Sequence, residues 1–112
     1  MPGEIDKDYE LPLSSVDRLR IRFKTKSRSG APAELIEFAV VYRAMIDGRW
    51  RDLRRYDNAH GPPHVHLYDW SGETTNTTLG EYKHSSQVFN AAQKELKKDY
   101  KKIREWFIAS KT

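Results

Sequence analysis

The sequence predicts an α+β domain in which an antiparallel sheet of four strands, or five, is followed by one long C-terminal helix packed across it. Two patterns indicate this fold class. Apolar and charged residues alternate with a period of two in the first half of the chain, as in half-buried strands. From Ser86 onward the apolar positions recur every three or four residues, as on one face of a helix. A chain of 112 residues is long enough for one hydrophobic core and too short for two.

Turn-forming residues separate the predicted elements along the chain. Residues 1–15 are rich in acids and poor in large apolar groups, so we expect an extended acidic N-terminal arm before a single domain at 16–112. The apolar positions of the helix are Phe89, Ala92, Leu96, Tyr100, Ile103 and Phe107. The strands are predicted over Asp17–Lys26, Glu34–Ile46, Arg49–Asp57 and His64–Trp70, with Ser71–Gly80 as a loop that has the option of a short fifth strand.

The dipeptide Asp47-Gly48 lies between two strand-like segments and predicts a tight hairpin, because a type I′ turn needs two residues with positive φ. A two-residue turn fixes the register of the strands that it joins. For the preceding strand we favour burial of the side that carries Phe38, Val40 and Tyr42. The expected cross-strand pairs are Met45 with Trp50, Arg43 with Asp52, Val41 with Arg54, and Ala39 with Tyr56.

Composition and charge limit the classes of function. The chain has no cysteine, which excludes disulfides, thiolate metal sites and thiol catalysis. The first fifteen residues have a net charge of −3 and the remaining 97 residues have a net charge of +7, which together give the formal charge of +4. The first fifteen residues also lack the apolar stretch of a signal peptide. No apolar segment approaches the ~20 residues that span a bilayer. We therefore expect a cytoplasmic protein that does not associate with membranes. Its basic charge indicates a polyanionic partner, with nucleic acid first, and the alternative is that the charge serves only solubility.

A basic stripe follows the first predicted strand. Its side chains share one face at steps of about 6.7 Å, close to the phosphate spacing of an extended single strand. Trp50 or Tyr56 beside it could stack on bases. The alternative interpretation is a solvated charged face. The predicted nucleic-acid-binding residues are Arg18, Arg20, Arg22 and Lys24, continued by Lys26, together with Trp50.

Three of the four histidines fall within seven residues, in the segment from Arg54 to Asp69. Histidine exchanges protons near neutral pH, and arginines beside it can neutralise a phosphate. Cleavage of RNA at a 2′-hydroxyl needs a base, an acid and cations, and it needs no metal or other cofactor. The alternative is that these residues only shape a surface strand and its turn. The candidate catalytic residues are His64 and His66 for acid and base, Arg54 and Arg55 for the phosphate, Tyr56 for its orientation, and Asp57 and His60 as further members.

A metal-dependent enzyme is a second alternative for the same segment. On a strand, His64 and His66 point to one side, and His60 or Asp69 could supply a third ligand. Such a set suits zinc, nickel or iron. A third possibility is a non-catalytic nucleic-acid-binding or protein-binding module that uses the basic stripe alone. The histidines favour chemistry over pure binding, because a binder needs arginines and aromatic residues but no imidazoles.

The segment GRWRDLRRYDNAHGPPHVHLYD resembles the signature region of TumE-type toxins of prokaryotic toxin–antitoxin systems, most closely over Arg55–His66. The resemblance implies a growth-inhibiting toxin that acts on RNA and is neutralised by a small antitoxin with a helix-turn-helix domain. The oligomeric state is left open, with a homodimer as one option. The positions that match the family are Arg55, Tyr56, Asp57, Asn58, His60, His64 and His66.

Overall fold

The computed structural model describes residues 3–27, 29–59, 61–79 and 84–111, which form six strands and one helix. The strands pair antiparallel in chain order, so that each lies beside its sequence neighbour. The α+β class and the C-terminal helix are confirmed, whereas the expected strand number of four or five is too low. The elements are β1 (Gly3–Ser14), β2 (Asp17–Ser27), β3 (Glu34–Ile46), β4 (Arg49–Asp57), β5 (His64–Asp69), β6 (Gly72–Thr78) and α1 (Ser85–Ala109).

The two edge strands account for the difference. β6 is the optional fifth strand, formed by a threonine-rich segment that suits a pleated edge. β1 occupies the residues expected to form a separate acidic arm, and it pairs with β2 from Gly3 opposite Ser27 to Ser14 opposite Asp17. Strand β1 has few apolar residues to signal burial. Its alternating acids instead lie opposite the basic residues of β2, which favours this pairing.

Helix α1 covers one face of the sheet and contacts β3, β4 and β5. The expected burial of Phe38, Val40 and Tyr42 is confirmed, and Leu19 and Ile21 of β2 extend the same apolar layer. Phe89 and Tyr100 are partly buried at the margin of this core. The helix contributes the buried residues Val88, Ala92, Leu96, Ile103 and Phe107.

A buried carboxylate joins three elements within this core. Asp17 has no exposed surface and accepts hydrogen bonds from the hydroxyl of Ser14 at 2.6 Å and from that of Tyr42 at 2.5 Å. The guanidinium of Arg104 donates to it from α1, with Nε at 3.0 Å. Burial raises the pKa of the Tyr42 hydroxyl, so it remains a proton donor across the physiological range. The network fixes the β1–β2 turn, β3 and the helix relative to one another.

The hairpin between β3 and β4 has the predicted turn, with φ of 51° at Asp47 and 82° at Gly48. The expected pairs of Met45 with Trp50 and of Arg43 with Asp52 are confirmed.

Beyond these two pairs the ladder shifts by one residue. Tyr42 lies opposite Arg54, so that Leu53 is an extra residue on β4. The expected pairs of Val41 with Arg54 and of Ala39 with Tyr56 are therefore wrong. The observed partners are Arg55 and Asp57, respectively.

The bulge has a packing reason. Leu53 and Tyr56 are three residues apart, so strict alternation would send them to opposite faces of the sheet. Both are buried against α1, and the extra residue allows this by reversing the alternation once. The same reversal turns Arg54 toward the helix, and Arg55 and Asp57 away from it. We call these two sides the helix-covered face and the open face.

Candidate active site on the open face of the sheet

The registers of the six strands arrange the side chains of the open face in rows that cross the sheet. Every strand contributes one residue to each row, because all five ladders are antiparallel and in register here. The first row is Asp8, Arg22, Ala39, Asp57, His64 and Thr78, and the second is Glu10, Arg20, Val41, Arg55, His66 and Asn76.

Asp57 lies at the centre of this face and is 3% exposed. Its Oδ2 is 2.7 Å from Nε of Arg55 and 3.2 Å from Nε2 of His66. Its Oδ1 accepts a hydrogen bond from the backbone N–H of Ala59 at 3.2 Å. One buried carboxylate therefore positions a guanidinium and an imidazole side by side. Charge-assisted contacts of this kind fix geometry as well as adding stability.

The other nitrogen of the His66 ring, Nδ1, is 2.5 Å from Oε1 of Glu73. The ring therefore lies between two carboxyl groups, one buried and one half-exposed. A neutral imidazole has a single N–H, and only the doubly protonated ring donates to both neighbours. This arrangement suits a group that gives up a proton from Nδ1 while Asp57 holds the ring through Nε2.

His64 lies on the same face, as the spacing predicted, and its ring centroid is 6.4 Å from that of His66. Its ring makes no hydrogen bond and no ion pair with any residue that the structure describes. The two imidazoles therefore differ, since His66 is held by carboxylates and the ring nitrogens of His64 have no such partner among the described residues. Such a pair can carry a base and an acid on either side of one reacting group.

The sequence-predicted cluster is divided between the two faces. The hydroxyl of Tyr56 donates to Glu95 of α1 at 2.8 Å, and Arg54 reaches the same carboxylate at 3.4 Å. Burial, followed by the bond to Glu95, raises the pKa of Tyr56. Arg54 and Tyr56 thus lie on the helix-covered face, and the structure does not bring them together with His66 as expected.

Two other predicted members have different positions. Asn58 is structural in its contacts, since its side chain accepts from the backbone N–H of Phe38 at 2.9 Å and donates to the carbonyl of Ile36 at 3.0 Å. His60 lies outside the described residues.

The basic stripe is present on the open face, but its cations are paired with the acids of β1. Asp8 contacts Arg20 through two hydrogen bonds of 3.0 and 3.2 Å, and Arg22 at 3.6 Å. The bonds from Arg20 hold the pKa of Asp8 below its usual range. Arg18 and Lys24 are matched in the same way by Glu10 at 2.7 Å and Glu4 at 3.8 Å.

The cations of the stripe therefore already form ion pairs with acids of the same chain. Trp50 does lie beside it, but the guanidinium of Arg18 already covers its ring at 3.8 Å from the centroid. The acids of β1 thus neutralise most of the positive charge that was predicted to bind RNA.

Unpaired positive charge lies on the outer side of α1 instead. The lysines there are exposed, and none forms an ion pair with any described residue. They lie on the side of the molecule away from the histidines. These residues are Lys94, Lys97, Lys98, Lys101 and Lys102.

A metal site is not assembled from the described part of the chain. No three histidine or carboxylate side chains there converge in the way that binds a cation. His66 bridges Asp57 and Glu73 rather than sharing a point with them. Asp69 accepts a hydrogen bond from the backbone N–H of Ser71 at 2.8 Å.

Sequence reasoning missed Glu73 and the acids of β1 as parts of this face. Glu73 carries no sequence signal, because it reaches His66 only across the irregular β5–β6 ladder. The acids did carry one. Glu4, Asp6, Asp8 and Glu10 alternate with a period of two, which is the pattern expected of a strand facing a basic neighbour.

Comparison with known families matches residues 4–112 to DUF7718, described as a domain of unknown function. The chain belongs to this family. The match covers β1 from its second residue onward, the other five strands and the helix, so the acids of β1 lie within the DUF7718 domain. Comparisons with curated proteins and with solved structures found no match. Among the described residues of this DUF7718 domain, no helix is long and apolar enough to cross a membrane.

Proposed function

We propose that this DUF7718 domain is a metal-independent ribonuclease whose reaction takes place on the open face of the sheet. The observation that supports this most is the contact of one buried carboxylate, Asp57, with both the Arg55 guanidinium and the His66 imidazole. A second imidazole, that of His64, lies 6.4 Å from the first. Together they supply the acid, the base and the cation that cleavage at a 2′-hydroxyl requires.

The two histidines have distinct roles in this mechanism. His64, whose ring nitrogens contact no partner among the described residues, removes the proton from the 2′-hydroxyl, and the resulting oxygen attacks the adjacent phosphorus. The bond from phosphorus to the 5′-oxygen then breaks, and His66 protonates that oxygen from Nδ1 once Glu73 has moved aside. The products are a 2′,3′-cyclic phosphate and a free 5′-hydroxyl.

Arg55 stabilises the charge on the phosphate in the transition state. Only its Nε is engaged by Asp57, so its terminal nitrogens can approach the phosphate oxygens. Asp57 is a positioning residue for the chemistry, since it holds both Arg55 and His66 and does not itself contact the reacting phosphate or exchange its proton. The buried setting of Asp57 favours this role, because a buried carboxylate with two fixed partners has little freedom to reorient.

Such an activity would suit the toxin of a prokaryotic toxin–antitoxin system acting on cytoplasmic RNA, as the likeness to TumE-type toxins implies. The partner would then be an antitoxin with a helix-turn-helix domain. The proposal predicts that expression of the domain inhibits the growth of a bacterial host. Co-expression of a neighbouring gene for such an antitoxin should relieve the inhibition.

A labelled single-stranded RNA tests the chemistry directly. We expect His64→Ala and His66→Ala each to lower the cleavage rate by about 10²–10⁴-fold. His84→Ala is the matched control, because it removes an exposed imidazole at the start of α1 and should leave the rate unchanged. A substrate with a single 2′-deoxynucleotide at the cleavage position should resist the parent enzyme.

Two results would overturn the mechanism. Folded His64→Ala and His66→Ala variants that cleave as fast as the parent would remove the histidines from the chemistry. Loss of cleavage in EDTA with recovery on adding zinc or manganese would favour the metal-dependent alternative.

The second candidate function is a non-catalytic module that binds polyanions. The five exposed lysines of α1 favour it, because they are free of ion pairs with the described residues. Absence of cleavage together with salt-dependent RNA binding that is lost on Lys→Gln substitution in α1 would support it.

A further inference from the structure

A depression of about 330 Å³ lies on the open face, next to the Asp57 cluster. Its lining crosses four strands and includes Asp8, Arg22, Ala39, Arg55 and Asp57. Four of these five belong to the first row of the sheet, and Arg55 belongs to the second. A volume of this size is at the lower end of the range that holds small organic ligands.

Ala39 creates this depression. It occupies the row between Arg22 on β2 and Asp57 on β4, where any longer side chain would fill the space between them. Its neighbours along the same face of β3, Glu37 and Val41, are both larger. A methyl group therefore forms the floor, and the longer side chains of the adjacent strands form the walls.

The charges around the depression cancel. Four of the lining residues are basic and four are acidic. A phosphate group would meet as many carboxylates as cations there, so its binding would gain little. A neutral ring that carries both hydrogen-bond donors and acceptors suits such a lining better, and the planar guanidinium of Arg22 offers a stacking surface.

We propose that the depression over Ala39 binds one nucleobase of the RNA substrate and sets the base preference of cleavage. This inference rests on the proposed ribonuclease function. Asp57 and Arg55 belong both to the wall of the depression and to the cluster that contains His66. A base seated over Ala39 therefore brings its own ribose and phosphate toward the two histidines.

Ala39→Leu tests the inference by filling the depression. The parent should bind at least one free nucleoside in a saturation-transfer NMR experiment, and the variant should bind it about tenfold more weakly or worse. Val41→Leu is the matched control, since it adds volume to the next position on the same face outside the lining. Arg22→Ala removes the stacking wall without placing bulk in the sheet, and it decides the matter should Ala39→Leu fail to fold.

Cleavage of RNAs that differ only at the base beside the cleaved bond supplies a second readout. The parent should prefer one base, and Ala39→Leu or Arg22→Ala should reduce that preference about tenfold or more, whereas Val41→Leu should retain it.

The possible failures can be told apart. Cleavage without base preference or nucleoside binding would overturn the base site and leave the ribonuclease standing. Nucleoside binding that depends on Ala39, without RNA cleavage by the parent, would retain the site and overturn the ribonuclease. Binding of inorganic phosphate but not of nucleosides would overturn the base site, because the lining would then recognise charge.

Discussion

The two faces of this sheet use the same kinds of residue for different purposes. On the helix-covered face, Asp17 is fully buried and accepts hydrogen bonds from three side chains that belong to separate elements. On the open face, Asp57 is almost as buried, yet its two side-chain partners, Arg55 and His66, are partly exposed neighbours on adjacent strands. A buried carboxylate that joins distant elements stabilises the fold. One that holds neighbouring polar groups on an open face, as Asp57 does, suits the proposed active site.

The four residues from Arg54 to Asp57 show the same contrast at closer range. Arg54 and Tyr56 face Glu95 of the helix, whereas Arg55 and Asp57 face the histidines. This division follows from the bulge at Leu53, which decides which residues of β4 pack against the helix and which lie on the open face.

Removing the buried carboxylate of the helix-covered face should have the largest effect on stability. Asp17→Ala leaves the Tyr42 hydroxyl and the Arg104 guanidinium without their acceptor, and we expect a loss of about 3–5 kcal/mol in urea unfolding. Asp52→Ala is the control, because it breaks only the exposed pair with Arg43 and should cost about 1 kcal/mol or less. Equal losses in the two variants would mean that the buried network does not hold the elements together.

Tyr56→Phe tests whether a residue of β4 on the helix-covered face affects stability without affecting RNA cleavage. The variant loses one hydrogen bond to Glu95, and we expect a cost of about 0.5–1.5 kcal/mol in the free energy of unfolding. RNA cleavage should be unchanged, since the hydroxyl lies on the far side of the sheet from His66. A folded Tyr56→Phe protein that has lost cleavage would contradict the assignment of chemistry to the open face.

The smallest effect concerns the acidic edge strand. The Arg20 guanidinium lowers the pKa of Asp8, so the pair contributes stability above the unfolded-state pKa of about 4 and loses it as the pH falls through the lower folded-state value. Asp8→Asn should therefore melt slightly below the parent at neutral pH, and the two melting temperatures should converge below about pH 4. Asp47→Asn, in the exposed turn, should show a smaller difference. A difference in melting temperature between the parent and Asp8→Asn that persists below about pH 4 would exclude the ion pair as its cause.

Periodicity predicted much of the fold. The alternation in β2 and the helical spacing after Ser86 each identified an element, and Asp47-Gly48 identified the turn and the first pairs of its ladder. The bulge could not be predicted in the same way. Nothing local to Leu53 signals an extra residue, and its benefit arises only when Leu53 and Tyr56 both reach the helix.

The residue types of the candidate site could be predicted from the sequence, but the face of the sheet on which each residue lies could not. The histidines and Arg55 lie together because they occupy adjacent strands, as residue type and spacing suggested. Arg54 and Tyr56 were grouped with them only because they are neighbours in sequence. The basic stripe was correctly placed on one face, but its neutralisation by β1 depended on the pairing of an edge strand that had been expected to be a separate arm.

The most direct test of the difference between the two faces is an NMR titration of the labelled protein with a short single-stranded RNA that is 2′-O-methylated throughout and so cannot be cleaved. We predict that the backbone amide signals of Arg22, Ala39, Arg55, His64 and His66 shift together as RNA is added. The signals along Lys94–Lys102, on the outer side of α1, should remain in place. Shifts confined to the helix, with the open face unaffected, would contradict the account and identify the lysines as the binding surface.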